Sequence, residues 1–247
     1  MILEKIVLEK EREIENLKRR GKSLKERLGM EGLTLIAEIK RASPAKGLIS
    51  SNFQPEHQLE EYINAGADAV SILTDEKFFQ GSKELFRKLR GKTDLPLLRK
   101  DFIIEPVQVY ESLFLGADVI LLIASILEEG KLRDLYNLAH GLGLEVIVEV
   151  HTLEDLKKAM KTSAEIIGIN NRNLHDFSID LKTTERILQE LEKQKLRRNY
   201  YIIAESGIKE REDIDYLKGL GVDGVLIGET LMRAGDPGKK IKELGIK

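Results

Sequence analysis

Three acids and three cations of this chain fall where short apolar runs end: Glu38, Glu149 and Glu205 with Lys40, Lys100 and Arg172. The stretch Ala37-Glu38-Ile39-Lys40-Arg41-Ala42-Ser43-Pro44 carries the most information among them. Strand side chains alternate between faces, so Glu38 and Lys40 project together while Ala37 and Ile39 face the other way. The preceding Leu33-Thr34-Leu35-Ile36 reads as buried, and a buried ion pair carries a desolvation cost that a surface pair does not. Interleaved charges keep most such groups ionised, while partial desolvation moves one Lys or Glu toward the working pH, as acid–base catalysis requires. Proton transfer is the chemistry this set suggests. A lone charge at a strand end is ordinarily solvated or part of a rim ion pair, but six at the ends of five such runs are hard to dismiss in that way.

A second constellation lies downstream, in Ala204-Glu205-Ser206-Gly207-Ile208 and Leu226-Ile227-Gly228-Glu229-Thr230. Gly207 and Gly228 permit a close backbone approach, and successive main-chain N–H groups at two neighbouring loops suit a phosphate. The plain alternative is that both glycines only make turns. A phosphorylated small molecule is the substrate class this pattern implies.

Positioning those residues requires a repeating scaffold. Eight apolar runs of strand length occur, at 33–40, 69–74, 96–102, 118–124, 145–151, 166–172, 200–206 and 224–229. Helical stretches separate them, such as 55–66, 106–116, 128–141, 152–161, 180–196 and 210–219, several opening on Pro or a capping residue and closing on Gly. Thr152-Leu153-Glu154-Asp155 fits a capping box. Ala65-Gly66-Ala67-Asp68, Leu115-Gly116-Ala117-Asp118 and Leu220-Gly221-Val222-Asp223 repeat one compact turn between helix and strand. Repeated βα units of this number close as a (β/α)8 barrel, with a doubly wound parallel sheet as the competitor. The barrel explains the polar strand ends, because its active site lies at the C-terminal mouth.

Bulk composition agrees. A chain of 247 residues suits one barrel, expected here as a single domain over 1–247 in which 1–31 is an N-terminal helical extension. Apolar residues make up 42% and charged residues 33%, with 40 basic against 42 acidic, so the net charge of −2 points to no nucleic-acid partner. Zero cysteines exclude thiolate ligands and nucleophiles. His57, His140 and His175 lack metal-ligand spacing, and His151 reads as a loop or helix-entry residue. The first 20 residues are amphipathic and charged, without the apolar run of a signal peptide or membrane span, so a soluble cytoplasmic protein with no membrane partner is expected. A monomer is expected, with a weak homodimer as the alternative.

Several blocks together carry a family likeness. Residues 37–44, Leu98-Arg99-Lys100-Asp101-Phe102, Val148-Glu149-Val150-His151, Gly168-Ile169-Asn170-Asn171-Arg172-Asn173-Leu174 and Ala204-Glu205-Ser206-Gly207-Ile208 resemble the indole-3-glycerol-phosphate synthase family from about residue 33 onward. The resemblance implies a carboxy-lyase of tryptophan biosynthesis that needs no metal or organic cofactor. By the same likeness Lys100, Glu149, Lys40 and Glu38 are the catalytic set, with Lys100 a general acid, Glu149 the acid–base group of the dehydration and Lys40 held by Glu38. Asn170, Arg172, Glu205, Ser43 and Phe102 resemble substrate-binding residues, and Ser206, Gly207, Gly228 and Glu229 the phosphate cradle. The arm resembles the family's extra segment, which helps close the barrel mouth, and 43–53 reads as a cover over it. Some relatives have Ser at the positions of Ala45 and Glu229, and a Glu side chain cannot donate to phosphate, so residue 229 would act through its N–H. Phe102 and Leu121 are candidates for an apolar wall or for plain core. Rival readings are an aldose–ketose isomerase barrel, a Schiff-base aldolase using Lys100, and a non-catalytic phosphate-binding barrel.

Overall fold

Runs of Val, Ile and Leu bounded by Gly-containing turns become the strands of one closed parallel barrel. The computed structural model describes residues 2–18, 22–44, 46–49, 53–174 and 176–246. Ala45, His175 and part of the cover segment 43–53 lie outside the described residues. The chain opens with α1 (Ile2–Lys18) and α2 (Leu24–Leu28), then β1 (Thr34–Ile39) and a small antiparallel hairpin of β2 (Ala42–Ser43) and β3 (Gly47–Leu48). There follow α3 (Pro55–Asn64), β4 (Ala69–Leu73), α4 (Lys83–Arg90), β5 (Leu97–Lys100), α5 (Pro106–Leu115), β6 (Val119–Ile123), α6 (Glu129–Gly141) and β7 (Glu145–Val150). The rest is α7 (Leu153–Ala159), β8 (Ile166–Asn170), α8 (Lys182–Lys193), β9 (Tyr201–Glu205), α9 (Arg211–Gly219), β10 (Gly224–Ile227), α10 (Glu229–Arg233) and α11 (Pro237–Glu243). Going round the barrel the order is β1-β10-β9-β8-β7-β6-β5-β4, with β4 pairing back to β1, so the fold is a (β/α)8 barrel and not an open sheet.

Strand alternation divides the core in two. Leu35, Ala37, Ile39, Val70 and Ile72 face the surrounding helices, whereas Ile36, Ala69, Leu98, Val119, Ile147, Ile166, Ile203 and Leu226 fill the interior. Inward residues of alternate strands share a layer. Ile36, Leu98, Ile147 and Ile203 come from β1, β5, β7 and β9; two residues later on those same strands stand Glu38, Lys100, Glu149 and Glu205. An apolar layer is thus followed, toward the mouth, by a layer made wholly of charge, with Ser71, Leu121, Gly168 and Leu226 of the intervening strands between them.

The opposite end is sealed by the N-terminal arm. Leu24 and Leu28 of α2 join the interior cluster, and Leu28 fills the space that Gly224 leaves at the base of β10. The Glu145 carboxylate accepts from Ser23 Oγ (2.6 Å), Leu24 N (2.7 Å) and Lys25 N (3.1 Å), taking up N–H groups that the helix start leaves unpaired. Within the arm, α2 thus lies at the bottom of the barrel, and among the described residues α1 contributes none to the lining of the mouth cavity. The repeated Gly-x-Asp turns also have a defined task. Asp68, Asp118 and Asp223 each accept from a strand N–H, those of Leu35 (2.8 Å), Leu97 (2.8 Å) and Ile202 (2.6 Å), and each returns its own N–H to the carbonyl of the same residue.

Candidate active site

Lys100 stands at the centre of the charged layer. Its Nζ pairs with Glu205 Oε2 and lies 3.7 Å from Glu149 Oε2 and 3.9 Å from Glu38 Oε2. Burial works against its charge, but Glu205, Glu149 and Glu38 together overcome this and hold the ammonium well above the ordinary lysine range. Glu38 also accepts from Lys40, 2.6 Å away. Its burial favours the neutral acid, yet Lys40 and Lys100 prevail and keep the carboxyl below its ordinary range. Glu205 goes the other way: burial, with Glu149 and Glu38 nearby, pushes it up to about 7 against the pull of Lys100. Three carboxylates around one ammonium cannot all be compensated, and the most deeply buried takes the proton more readily.

Two glycines make this packing possible. A Cβ on Gly168 would overlap the Glu205 carboxyl, and one on Gly228 would overlap that of Glu38 and crowd Lys40. Gly228 therefore admits the ion pair. Behind β5, Arg99 faces outward and is fully engaged by Thr74 Oγ1 (3.0 Å), Ser112 Oγ (3.0 Å), Gln108 O (3.2 Å), Asp101 Oδ2 (2.9 Å) and Glu111 Oε2 (2.7 Å). Neighbouring Arg99 and Lys100 thus separate into an anchor and a site residue by strand parity alone.

Above the layer opens a cavity of about 930 Å³. Glu38, Lys40, Ser43, Lys100, Phe102, Glu149, Asn170, Arg172, Ser206, Gly207, Gly228 and Glu229 line it together. Glu205 does not reach its wall: it is fully buried beneath and meets the cavity only through Lys100. Leu121 belongs to both wall and core. Asn170 Oδ1 accepts from Arg172 N (3.0 Å), bending the chain out of β8. Arg172 and Arg233 approach the Glu229 carboxylate at 3.6 and 3.2 Å, so that side chain is occupied with cations and only the N–H of residue 229 is left for an anion. Ser206 and Gly207 both have positive φ, +66° and +89°; for Ser this is a strained conformation held by its surroundings.

Several wall residues escaped the sequence reading. Phe79 packs against Phe102 with ring centroids 6.1 Å apart, and Leu73, Leu174, Phe177 and Ile179 complete the apolar side. A signal for Phe79 existed in Asp75, whose Oδ1 accepts from Phe78 N (2.6 Å) and Phe79 N (3.0 Å) and so shapes the loop. Thr74 faces away from the cavity, toward Arg99. His151, read as a loop or helix-entry residue, stands just before the N-cap of α7, and its ring lies 3.3 Å from Glu149. Among the described residues no group of three or more His, Asp or Glu side chains is placed to hold a metal ion, and no helix is long and apolar enough to cross a membrane.

Comparison with known proteins gives the family. The family model for indole-3-glycerol phosphate synthase matches residues 3–244. Proteins with that name are similar over long stretches: one from Petrotoga mobilis is 59% identical over 99% of this chain and 96% of its own length, and one from Thermoanaerobacter pseudethanolicus 42% identical over 98% and 96%. Among solved structures, thiamine phosphate pyrophosphorylase from Pyrococcus furiosus superposes with a TM-score of 0.64 at 19% identity, covering 86% of this chain and 94% of that one, a likeness of fold alone.

Proposed function

The chain belongs to the indole-3-glycerol phosphate synthase family, decarboxylating lyases of tryptophan biosynthesis, and from that premise we propose a mechanism carried by the charged layer of its barrel. The substrate is 1-(o-carboxyphenylamino)-1-deoxyribulose 5-phosphate. Its phosphate is held by main-chain N–H groups at Ser206, Gly207, Gly228 and Glu229, while Phe102 and Phe79 form an apolar wall for the aromatic ring. Asn170, Arg172 and Ser43 orient the polar chain between them.

Lys100, held protonated by its carboxylates, donates to the ribulose carbonyl oxygen as the ring carbon bearing the carboxylate attacks the carbonyl carbon. The new carbon–carbon bond makes that ring carbon tetrahedral, and loss of carbon dioxide returns its bonding electrons to the ring. Dehydration then removes the new hydroxyl as water, with Glu149 as the acid–base group and Lys40, oriented by Glu38, as a second proton source. Glu205 acts beneath the cavity by holding Lys100 in place.

The observation that carries this reading is the Lys100 ammonium encircled by three carboxylates and open to the cavity. It also weighs against a Schiff-base aldolase, whose lysine must become a neutral nucleophile. Incubation of the purified chain with the carboxyphenylamino substrate, without added metal, should give a rise in indole fluorescence. A flat trace from folded protein would refute the reading.

A further inference from the structure

Beside the residues assigned to the reaction lies a buried imidazole that the mechanism leaves unused. His151 follows β7 by one residue, and its side chain is 9% exposed. Its Nε2 lies 3.3 Å from Glu149 Oε1 and its Nδ1 4.0 Å from Asp155 Oδ2. Asp155 is itself fixed: its Oδ2 accepts from His151 N (3.0 Å) and Thr152 N (3.1 Å), and its N–H donates to Thr152 Oγ1 (3.1 Å), the capping box of α7. One carboxylate therefore pins the backbone of His151 and faces its ring. Glu149 in turn stands between two basic groups, Lys100 on Oε2 and His151 on Oε1.

Other charges nearby are accounted for. From β5 and β9, Lys100 and Glu205 pair with each other; from β1, Glu38 is engaged by Lys40; from beyond β8, Arg172 is directed at Glu229. On α7, the Lys158 ammonium donates to the carbonyls of Ala124 (3.1 Å) and Leu127 (3.3 Å). Lys100 rests as a cation at working pH, whereas an imidazole changes charge near neutrality. His151 and Glu205 are thus the neighbours of Glu149 whose charge can vary, and of the two His151 faces it as a base that can become a cation.

We propose that His151 is a positioning residue that tunes the basicity of Glu149 through its Nε2, a role resting on the reading of Glu149 as the acid–base group of the ring-closing reaction. As an imidazolium, its charge 3.3 Å from Oε1 makes Glu149 a weaker base; as a neutral ring it leaves the carboxylate more basic. The acid limb of the rate profile then reports the imidazole as well as the carboxyl.

The test has two arms. In the first, imidazole NMR titration of the substrate-free chain is compared with Glu149→Gln, the His151 signal being identified by its loss in His151→Asn. Removing the carboxylate should lower the His151 midpoint by roughly one pH unit or more. An unchanged midpoint would overturn the coupling. In the second arm, His151→Asn keeps a short N–H donor and removes the titration; KM should hold while the acid limb of kcat moves by about half a pH unit or more. A kcat profile superimposable on the wild type would overturn the role in proton transfer. Absence of turnover in the wild-type chain would instead defeat the reading of the reaction and this role with it, and the substrate-free titration tells that failure from a failure of the coupling itself.

Discussion

Buried acids occur at both ends of this barrel and are satisfied in opposite ways. At the bottom, Asp118 accepts from Lys22 N (2.9 Å) and Leu97 N (2.8 Å) and pairs with Arg90 at 2.5 Å, while Glu145 accepts the N–H groups that start α2. At the mouth, Glu38, Glu149 and Glu205 depend on Lys40, Lys100 and His151, and Glu205 Oε1 is buried without a hydrogen-bond partner. Backbone donors hold a carboxylate in place, because they neither titrate nor move apart from the fold, although at Glu145 burial outweighs them and raises the carboxyl above its ordinary range. Side-chain cations leave its protonation open to change. An under-satisfied buried acid is unfavourable for stability, and such groups concentrate where chemistry uses them.

The sharpest way to test that contrast is to remove the central cation. Lys100→Met should cut turnover by roughly 10²- to 10⁴-fold, with the circular dichroism of the folded barrel retained; near-normal turnover would refute the assignment. The mirror experiment at the bottom is Asp118→Ala, which strands two N–H groups and Arg90. It should cost about 2–3 kcal/mol of stability in denaturant titration, while kcat of the folded fraction stays within about twofold. A kcat loss matching that of Lys100→Met would erase the distinction between the ends.

The smallest effect tests the protonation difference itself. Glu205 is raised from 4.5 to about 7 in the fold, so the native state binds its proton more tightly than the unfolded chain. Its contribution is therefore complete below pH 4.5 and falls away as pH rises to about 7. Glu38 has the opposite sign, since its carboxyl is depressed: its contribution is present above the ordinary glutamate range and lost only in acid. Glu205→Gln cannot ionise and should flatten the fall in Tm between pH 5 and 7 by about 2–4 °C. An equally steep fall in the variant would show that Glu205 titrates normally.

Much of this arrangement was legible because it is local. Alternation along β1, β5, β7 and β8 predicted which of Glu38, Lys100, Glu149 and Asn170 face inward, and the Gly-x-Asp repeats marked the strand entries. Phe79, Phe177 and Ile179 were not legible, since they lie on loops without a fixed period. The seat of α2 was hidden as well: its Leu24 and Leu28 suit any apolar surface, and only the space at Gly224 for Leu28 and the Glu145 carboxylate at the helix start assign them to the bottom.

By itself, then, the sequence determined the number of βα units, the inward parity of the charged residues and the family, all of which follow from spacing along one chain. Tertiary structure decided that Glu205 lies under the cavity while Glu149 lines it, that Gly168 and Gly228 are small because carboxylates occupy their side-chain space, and that His151 meets Glu149. Those outcomes depend on the stagger between strands closed into a ring. Contacts across a barrel are set by that closure, and no single strand contains it.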